Sequence, residues 1–470
     1  MINFIKTISI LLIFFSVCNS QISQNTSLFK NLNPRPNQPP SIFGSIYAAC
    51  WGWTAPNGRE YALLGCVTGT SFIDITDSLN VTERDFVPGP NEPWREMKTY
   101  LNYAYLVTDG SGVGMQIIDL QYLPDSVRHI RNWTFSGFTR AHTISQNGRF
   151  LYLNGGDASP NGGIRVVDLL DPVNPVIRGT YTQSYIHDCF IRNDTIFAAA
   201  LSLTENKYVI INAINKDNLT VITEFSNLPN YFYNHNCWVT DDRKYLITTD
   251  ELSNPPGTVK IWNIQNLSNI TYVTSYRPPN NNTSIAHNVI IKGNLLIVSH
   301  YTAGIRFVNI SNPAQPVEIG YYDTYPNSDS SVYRGNWGSY PFFTSGKFVS
   351  SDMQTGLWVV KLLSTPIGIN NNNNIIKEFE LLQNYPNPFN PSTTIKYKLA
   401  VKSYVTLKVF DIKGTEVINL VNQEQQLGEY NVIFSGKNLS SGIYFYKLEA
   451  SSGNSGGIKY SDTKKMMFIK

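Results

Sequence analysis

The sequence predicts an all-β protein, a seven-bladed β-propeller followed by a small immunoglobulin-like β-sandwich. Three observations predict this fold class. A short β-rich phrase recurs seven times between residues 72 and 362, its copies are nearly evenly spaced, and strands of a different texture follow after a polar stretch. A period near 45 residues built from short strands is typical of four-stranded blades arranged around an axis.

Each copy of the phrase carries an Asp, Asn or Lys between apolar residues. Successive copies are 45, 49, 44, 51, 46 and 52 residues apart. The polar positions are Asp74, Asp119, Asp168, Asn212, Asn263, Asn309 and Lys361. Seven copies predict seven blades.

The four strands of a repeat are clearest in the third copy. Its runs AHTIS, RFLYLNGGD, IRVVDLL and VIRGTYTQ are separated by turns rich in Gly, Asn and Pro. Apolar runs broken by these residues predict a four-stranded antiparallel meander. We expect residues 41–50 to supply an outer strand to the last blade and so to close the ring.

The chain divides into five segments. Residues 1–20 place Lys6 before an apolar run, as in a secretory signal peptide, and that run is too short to span a bilayer. Residues 21–41 are polar and Pro-rich, which predicts an extended leader without a core. The propeller then covers 42–364, an Asn-rich linker covers 365–378, and a β-sandwich with period-two strands covers 379–470.

Charge and motifs narrow the function classes. The formal net charge is +3 with 15% charged residues and no Lys/Arg cluster, so nucleic acid is not an expected partner. The chain contains no GxSxG, HExxH, CxxC or GxxxxGK, which are signatures of common hydrolases, zinc proteases, redox proteins and nucleotide-binding proteins. Four cysteines follow the signal peptide and allow three pairings, and we interpret them as buried free thiols: Cys50, Cys66, Cys189 and Cys237.

A regular offset marks the candidate site. In five repeats a His or Trp before the first strand is followed 13 or 15 residues later by a carboxylate or a second His. An odd separation places both side chains on one side of an antiparallel hairpin, which predicts direct contact within each pair. The pairs are Trp94 with Asp109, His142 with Asp157, His235 with Asp250, Trp337 with Asp352, and His287 with His300.

The first strand of each blade lines the central channel of a propeller, so four histidines should surround one mouth of it, with Asp109 and Glu251 nearby. Neutral imidazole and carboxylate suit a first-row divalent metal ion and also acid and base roles. The candidate metal ligands are His142, His187, His235, His287, His300, Asp157, Asp250 and Asp352. Trp51, Trp94 and Trp337 take the place of histidine in other blades and predict an aromatic wall that faces the site. The alternative is that these groups only satisfy buried polar atoms and connect adjacent blades.

The C-terminal segment resembles a known export signal. NYPNPFNPSTTIKYKL, VFDIKGTEV, LSSGIYFYKLEA and the final KKMMFIK are similar to the type A sorting domain of the type IX secretion system of the Bacteroidota. The resemblance implies passage through the periplasm and recognition of residues 379–470 by the type IX machinery. It also implies a secreted or cell-surface protein, released or attached to surface lipopolysaccharide.

The propeller resembles the choice-of-anchor B family, which consists of secreted propellers built from LVIVD repeats. The resemblance rests on segments such as IHDC, YNHNCWVTDDRKYLITTDE and AHNVIIKGNLLIVSHYTAGIRFVNISNPAQPVEIGYYDTYP. Because the family has no established activity, the resemblance implies a fold and a destination but no chemistry.

Two functions stay open. In the first, the propeller is an exported, non-enzymatic module that binds a protein, a glycan or a metal through one face, which the missing catalytic motifs favour. In the second, it is a metal-dependent enzyme whose ion lies at the channel mouth, which the histidine ring favours.

Overall fold

The chain forms two compact units, Met1–Ile369 and Asn370–Lys470. The computed structural model describes residues 22–41, 44–201, 207–229, 231–253, 258–279, 281, 283–363, 379–399, 403–425, 428–437, 439–451 and 458–469. The predicted signal peptide and linker lie outside these residues.

Almost all regular structure in the described part of the first unit is β-strand, with one short 3₁₀ turn at Pro160–Gly162. The strands are β1 (Ser23–Gln24), β2 (Thr26–Leu32), β3 (Tyr47–Thr54), β4 (Glu60–Cys66), β5 (Gly69–Asp74), β6 (Thr82–Pro88), β7 (Arg95–Tyr100), β8 (Tyr103–Thr108), β9 (Met115–Asp119), β10 (Arg128–Trp133), β11 (Thr143–Asn147), β12 (Phe150–Asn154), β13 (Ile164–Asp168), β14 (Val176–Tyr181), β15 (Ile186–Arg192), β16 (Thr195–Ala200), β17 (Lys207–Asn212), β18 (Thr220–Ser226), β19 (Tyr231–Val239), β20 (Tyr245–Ser253), β21 (Val259–Asn263), β22 (Thr271–Tyr276), β23 (Asn288–Lys292), β24 (Leu295–His300), β25 (Gly304–Asn309), β26 (Val317–Tyr322), β27 (Asn336–Tyr340), β28 (Phe348–Asp352) and β29 (Gly356–Leu362).

These strands form seven antiparallel sheets, which confirms the seven-bladed propeller. Blades 1 to 5 are the consecutive groups β3–β6, β7–β10, β11–β14, β15–β18 and β19–β22. Blade 6 combines β23–β26 with β1, and blade 7 combines β27–β29 with β2. The repeated phrase forms the end of the third strand in each blade.

The core lies between neighbouring blades. Every residue of β4 is buried, as expected for a strand covered on both faces. Leu63 and Phe72 of blade 1 share a hydrophobic cluster with Met97, Leu106 and Ile118 of blade 2. Because adjacent blades share such clusters, the apolar middle strands hold the ring together.

The ring is closed by the N-terminal segment, contrary to the prediction for residues 21–41 and 41–50. The last repeat supplies only three strands, which leaves the outer edge of β29 without a partner from its own repeat. β2 pairs with β29 from Thr26↔Leu362 to Leu32↔Leu357, and β1 pairs with β26. Part of the predicted leader therefore forms outer strands, because an unpaired edge leaves backbone groups unsatisfied. Residues 47–54 instead form β3, the first strand of blade 1.

The second unit is a β-sandwich, as predicted. Its sheets are β30-β31-β34 and β33-β32-β35-β36. Alternate residues of both sheets, such as Ile395, Leu407 and Leu448, are fully buried in one core. The strands are β30 (Glu380–Leu381), β31 (Ser392–Leu399), β32 (Ser403–Phe410), β33 (Glu416–Gln425), β34 (Gly428–Ser435), β35 (Gly442–Ser451) and β36 (Ile458–Phe468).

Candidate functional site

Four histidines from blades 3 to 6 form a continuous row of imidazoles. The ring centroids of His142 and His187 are 4.3 Å apart, those of His187 and His235 are 4.1 Å apart, and those of His235 and His287 are 4.2 Å apart. The row ends on Trp337 of blade 7, at a centroid distance of 4.5 Å from His287. The predicted gathering of these four histidines is therefore present in the structure.

β-Bulges orient three of these rings. The pairing registers of β15, β19 and β27 shift between Ile186 and Asp188, between Asn234 and Asn236, and between Asn336 and Gly338. The residues skipped by the shifts are His187, His235 and Trp337. A bulge leaves its extra residue unpaired and redirects its side chain, here toward the channel.

The bulges also explain why two of the predicted hairpin pairs are wrong. Asp250 lies opposite Asn234, not opposite His235, and Asp352 lies opposite Asn336, not opposite Trp337. One inserted residue changes which side of the hairpin the following side chain faces, so an offset of 15 no longer places both partners on the same side.

The predicted carboxylates have other partners. Asp157 accepts hydrogen bonds from the backbone N–H groups of Thr139 and Arg140, at 2.9 Å each. Asp250 forms a fully buried ion pair with Lys260. The carboxylates of Asp157 and Asp250 thus stabilise a loop and a blade.

Two other candidates are likewise engaged away from the row. Asp352 accepts hydrogen bonds from the Thr324 hydroxyl at 2.8 Å and from the backbone N–H groups of Gln354 and Thr355. Nδ1 of His300 lies 3.1 Å from the Ser284 hydroxyl. These contacts satisfy buried polar atoms within blades 6 and 7.

Hydrogen bonds to carbonyl groups define the tautomers of three histidines. Nδ1 of His187 lies 3.0 Å from the His235 carbonyl oxygen, and Nδ1 of His235 lies 3.1 Å from that of His287. Nδ1 of His287 contacts the Trp337 carbonyl oxygen. A carbonyl oxygen only accepts, so each Nδ1 carries a proton and donates it, while each neutral ring keeps a lone pair on Nε2.

The first histidine of the row differs from the others. Nδ1 of His142 lies 2.6 Å from Oδ2 of Asp109, and its Nε2 lies 2.8 Å from Nε2 of His187. Because the carboxylate and the lone pair of His187 both accept, His142 donates from both nitrogens as an imidazolium. Burial lowers its pKa, but the hydrogen bond and charge of Asp109, with Glu96 and Asp188, raise the pKa more, so the net shift is upward.

The other three imidazoles are neutral. Burial, together with the charge of His142, lowers the pKa of His187 and His235 well below the ordinary value. Burial also lowers the pKa of His287 to about 3. A row with one charged end and three neutral rings avoids placing like charges in contact.

Glu251 is a carboxylate beside the last two histidines of the row. Its Oε1 lies 3.8 Å from Nε2 of His235 and 3.8 Å from Nε2 of His287, and it accepts a hydrogen bond of 2.7 Å from the Tyr301 hydroxyl. Burial raises its pKa to about 7. From the sequence, Glu251 is expected near the ring of histidines but not among the metal ligands. The sequence feature that could have identified Glu251 is its position directly after Asp250, because consecutive strand residues face opposite sides of a sheet.

Three spaces follow one another along the channel. The first is a mouth cavity of about 180 Å³ that Glu251 lines. The second is a narrow space of about 40 Å³ among the histidines, and Glu251 lines it as well. A third cavity of about 210 Å³ follows, and Glu96 and Asp188 line both it and the narrow space. The mouth cavity is lined by Ser45, Pro93, Trp94, Glu251, Tyr301, Tyr333, Trp337 and Met353.

The tryptophans and cysteines complete the channel. Trp94 and Trp337 form part of the mouth wall, as predicted, but Trp51 lines the far cavity, where Nζ of Lys98 lies 3.9 Å from its ring centroid. In the described part of the chain, four cysteines are free and buried, in agreement with the sequence interpretation: Cys50, Cys66, Cys189 and Cys237.

The fold and the channel define a β-propeller with a histidine-lined channel, joined to a β-sandwich. Residues 284–324 match the LVIVD repeat, and residues 383–457 match the secretion system C-terminal sorting domain. The chain is therefore a β-propeller with a match to the LVIVD repeat, and its C-terminal sorting domain indicates a secreted or cell-surface protein that interacts with the secretion machinery. No helix in the described residues is long and apolar enough to cross a membrane.

Solved structures that resemble the chain do so at low identity. A protein from Lactobacillus plantarum is 12% identical, with 81% of this chain and 98% of that chain covered and a TM-score of 0.47. The β-propeller domain of Myceliophteria thermophila Cps50 (Swd1) is 11% identical, with 67% and 97% covered and a TM-score of 0.46. The WD40 repeats of RRP9 are 11% identical, with 72% and 97% covered and a TM-score of 0.48. The search of curated proteins finds no match.

Proposed function

We propose that this protein is an exported binding module that takes one sugar ring of a glycan into the mouth cavity of its propeller. The observation that carries the proposal is the wall of that cavity, where Trp94, Tyr301, Tyr333 and Trp337 surround a single carboxylate, Glu251. Pockets that hold small ligands are mostly apolar, with a few polar groups that orient the ligand.

The size and chemistry of the cavity support a sugar ring. About 180 Å³ accommodates one ring and not an extended chain. Aromatic faces pack against the C–H groups on one side of a pyranose, while Glu251 and the Ser45 hydroxyl offer hydrogen bonds to its O–H groups. Tyr333 is 39% exposed and stands at the entrance, where a ligand would meet it first.

Saturation-transfer difference NMR with methyl glycosides tests the proposal. The probes are a neutral hexose, an N-acetylhexosamine and a uronic acid, each as the methyl glycoside. We expect at least one probe to receive saturation from the wild-type protein and much less from Trp94→Ala and Tyr333→Ala. Tyr122→Ala is the matched control, because Tyr122 is 43% exposed and does not line the cavity.

A lack of saturation transfer to all three probes would overturn the proposal. Equal loss of signal in Tyr122→Ala would also overturn it, because the contact would then not depend on the mouth cavity. Circular dichroism of each variant establishes that the propeller remains folded.

Attachment to surface lipopolysaccharide stays a prediction for the mature protein. Fractionation of cells that express the full chain tests it, since an attached form remains with the outer membrane and migrates as a heterogeneous band. A single sharp band that occurs only in the medium would contradict attachment.

A metal-dependent enzyme at the same mouth is the second candidate. The observation that favours it is the approach of one carboxylate and two neutral imidazoles in the narrow space next to the cavity, where Glu251 lines both spaces. Turnover of a bound glycoside that depends on added metal would support this candidate over simple binding.

A further inference from the structure

We infer that His235, Glu251 and His287 bind one first-row divalent transition-metal ion in the narrow space next to the mouth cavity. The three side chains each place one ligand atom within 4.8 Å of the others. The inference rests on the proposed function, in which the mouth cavity holds a sugar ring. It adds a metal ion to the groups that would contact that sugar.

Of the four histidines in the row, only His235 and His287 have a tautomer with a lone pair available to a metal ion. His142 has no lone pair to offer, because both of its nitrogens donate, and the lone pair of His187 already accepts from His142. Nδ1 of His235 and Nδ1 of His287 each donate to a carbonyl oxygen of the next blade. Their Nε2 lone pairs therefore remain available, and both nitrogens face the same oxygen of Glu251.

The distances suit a small ion after a slight contraction. Zinc binds nitrogen and carboxylate oxygen at about 2.0–2.2 Å, so two ligand atoms of a tetrahedral site lie roughly 3.4 Å apart. Oε1 of Glu251 lies 3.8 Å from each Nε2. A shift of Oε1 by a few tenths of an ångström closes this difference. The two Nε2 atoms lie within 4.8 Å of each other, so binding would also draw the imidazoles toward the ion.

Surrounding hydrogen bonds hold the ligands in orientation. The carbonyl oxygens of His287 and Trp337 accept from the two Nδ1–H groups, and the Tyr301 hydroxyl donates to Oε1 of Glu251. Partners of this kind fix the tautomer and ring direction of metal-binding histidines in other proteins. The tilted contact between the rings of His235 and His287, with centroids 4.2 Å apart, restricts the same side chains further.

The charge balance also fits a dication. A metal ion binds the ionised carboxylate, so Glu251 and two neutral imidazoles would then carry a single negative charge. Among the described residues no Lys or Arg forms an ion pair with Glu251. Two imidazoles and one carboxylate are a ligand set of zinc and of non-haem iron sites that keep open coordination positions. Glu251 lines both the narrow space and the mouth cavity, so water or a ligand oxygen from the mouth cavity would complete the coordination.

Cobalt titration tests the inference on the full chain, produced without a histidine tag and freed of metal by chelator. We expect one Co²⁺ per chain, visible d–d absorption, and displacement by Zn²⁺. Glu251→Gln should weaken Co²⁺ binding roughly tenfold or more, because the amide still accepts from Tyr301 but carries no charge. In NMR spectra, paramagnetic Co²⁺ should perturb the imidazole signals of His235 and His287 far more than those of His142.

Glu96→Gln is the matched control, since Glu96 is a second carboxylate of the same channel that is not one of the three ligands. Its Co²⁺ affinity should stay close to that of the wild-type protein. Wild-type protein that binds no stoichiometric Co²⁺ or Zn²⁺ would overturn the inference. So would unchanged binding in a folded Glu251→Gln protein, or an equal loss in Glu96→Gln.

The glycoside measurements, repeated with chelator and with Zn²⁺, separate the two proposals. Metal binding without glycoside binding would leave the metal site standing and remove the glycan proposal. Glycoside binding by a protein that takes up no metal would support the glycan proposal and remove the metal site.

Discussion

The substitution Glu96→Gln should stabilise the propeller in alkaline solution and leave it unchanged in acid. Glu96 lies in the channel beside Lys98 and Asp188, and burial, reinforced by the charge of Asp188, raises its pKa from 4.5 to about 7. The folded protein therefore holds this proton more tightly than the unfolded chain does. The stabilisation that the proton provides is complete below about pH 4.5 and is lost as the pH rises through about 7.

The magnitude follows from the size of the shift. A change of one pKa unit corresponds to about 1.4 kcal/mol, so the shift of Glu96 costs the wild-type protein about 3 kcal/mol of stability at pH 8. Glutamine carries no charge at either pH. Glu96→Gln should therefore raise the free energy of unfolding by up to about 3 kcal/mol at pH 8 and by almost nothing at pH 4.

Urea unfolding followed by tryptophan fluorescence measures this difference in the propeller alone. All eight tryptophans lie between residues 51 and 358, so the β-sandwich contributes no tryptophan signal. Chelator in every sample keeps metal binding out of the comparison. A variant that is equally stable at pH 8, or less stable there than the wild-type protein, would refute the buried-carboxylate reasoning.

Three further results are expected. Asp250→Asn leaves the fully buried ammonium of Lys260 without its carboxylate, so it should lower the free energy of unfolding in urea by about 3–5 kcal/mol. A decrease below about 1 kcal/mol would show that water reaches the pair. Deletion of residues 22–32 exposes the edges of β26 and β29, so it should lower the unfolding midpoint and produce larger species in size-exclusion chromatography. An unchanged midpoint would contradict closure of the ring by β2. A thiol reagent such as Ellman's should react with the propeller only after denaturation, because burial raises the thiol pKa to about 12 for Cys50 and to about 11 for Cys66. Rapid reaction of the native protein would contradict this burial.

The sequence was sufficient to predict the blades because their signal is local and repeated. Each copy, such as FIDI at Phe72 or VVDL at Val166, is an apolar run with a polar residue where the third strand ends. Four histidines at corresponding positions of neighbouring repeats also predicted their gathering at one mouth, since equivalent residues of adjacent blades lie side by side around the axis.

The closing strand was not predictable in the same way. Residues 26–32 carry no copy of the repeated phrase, and their partner, β29, lies more than 300 residues away in sequence. Pairing between such distant segments depends on which edge the rest of the ring leaves open. Only the assembled propeller presents that edge.

The chemistry of the site was decided by tertiary structure. The sequence contains both Asp250 and Glu251, but a one-residue bulge at His235 and the pairing of Asp250 with Lys260 determine that Glu251, and not Asp250, lies beside His235 and His287. The sequence by itself therefore determined the repeat, the blade count, the export domain and the row of histidines. Tertiary structure decided ring closure, tautomers and ligand geometry, because a bulge or a contact between blades leaves no local pattern in the chain.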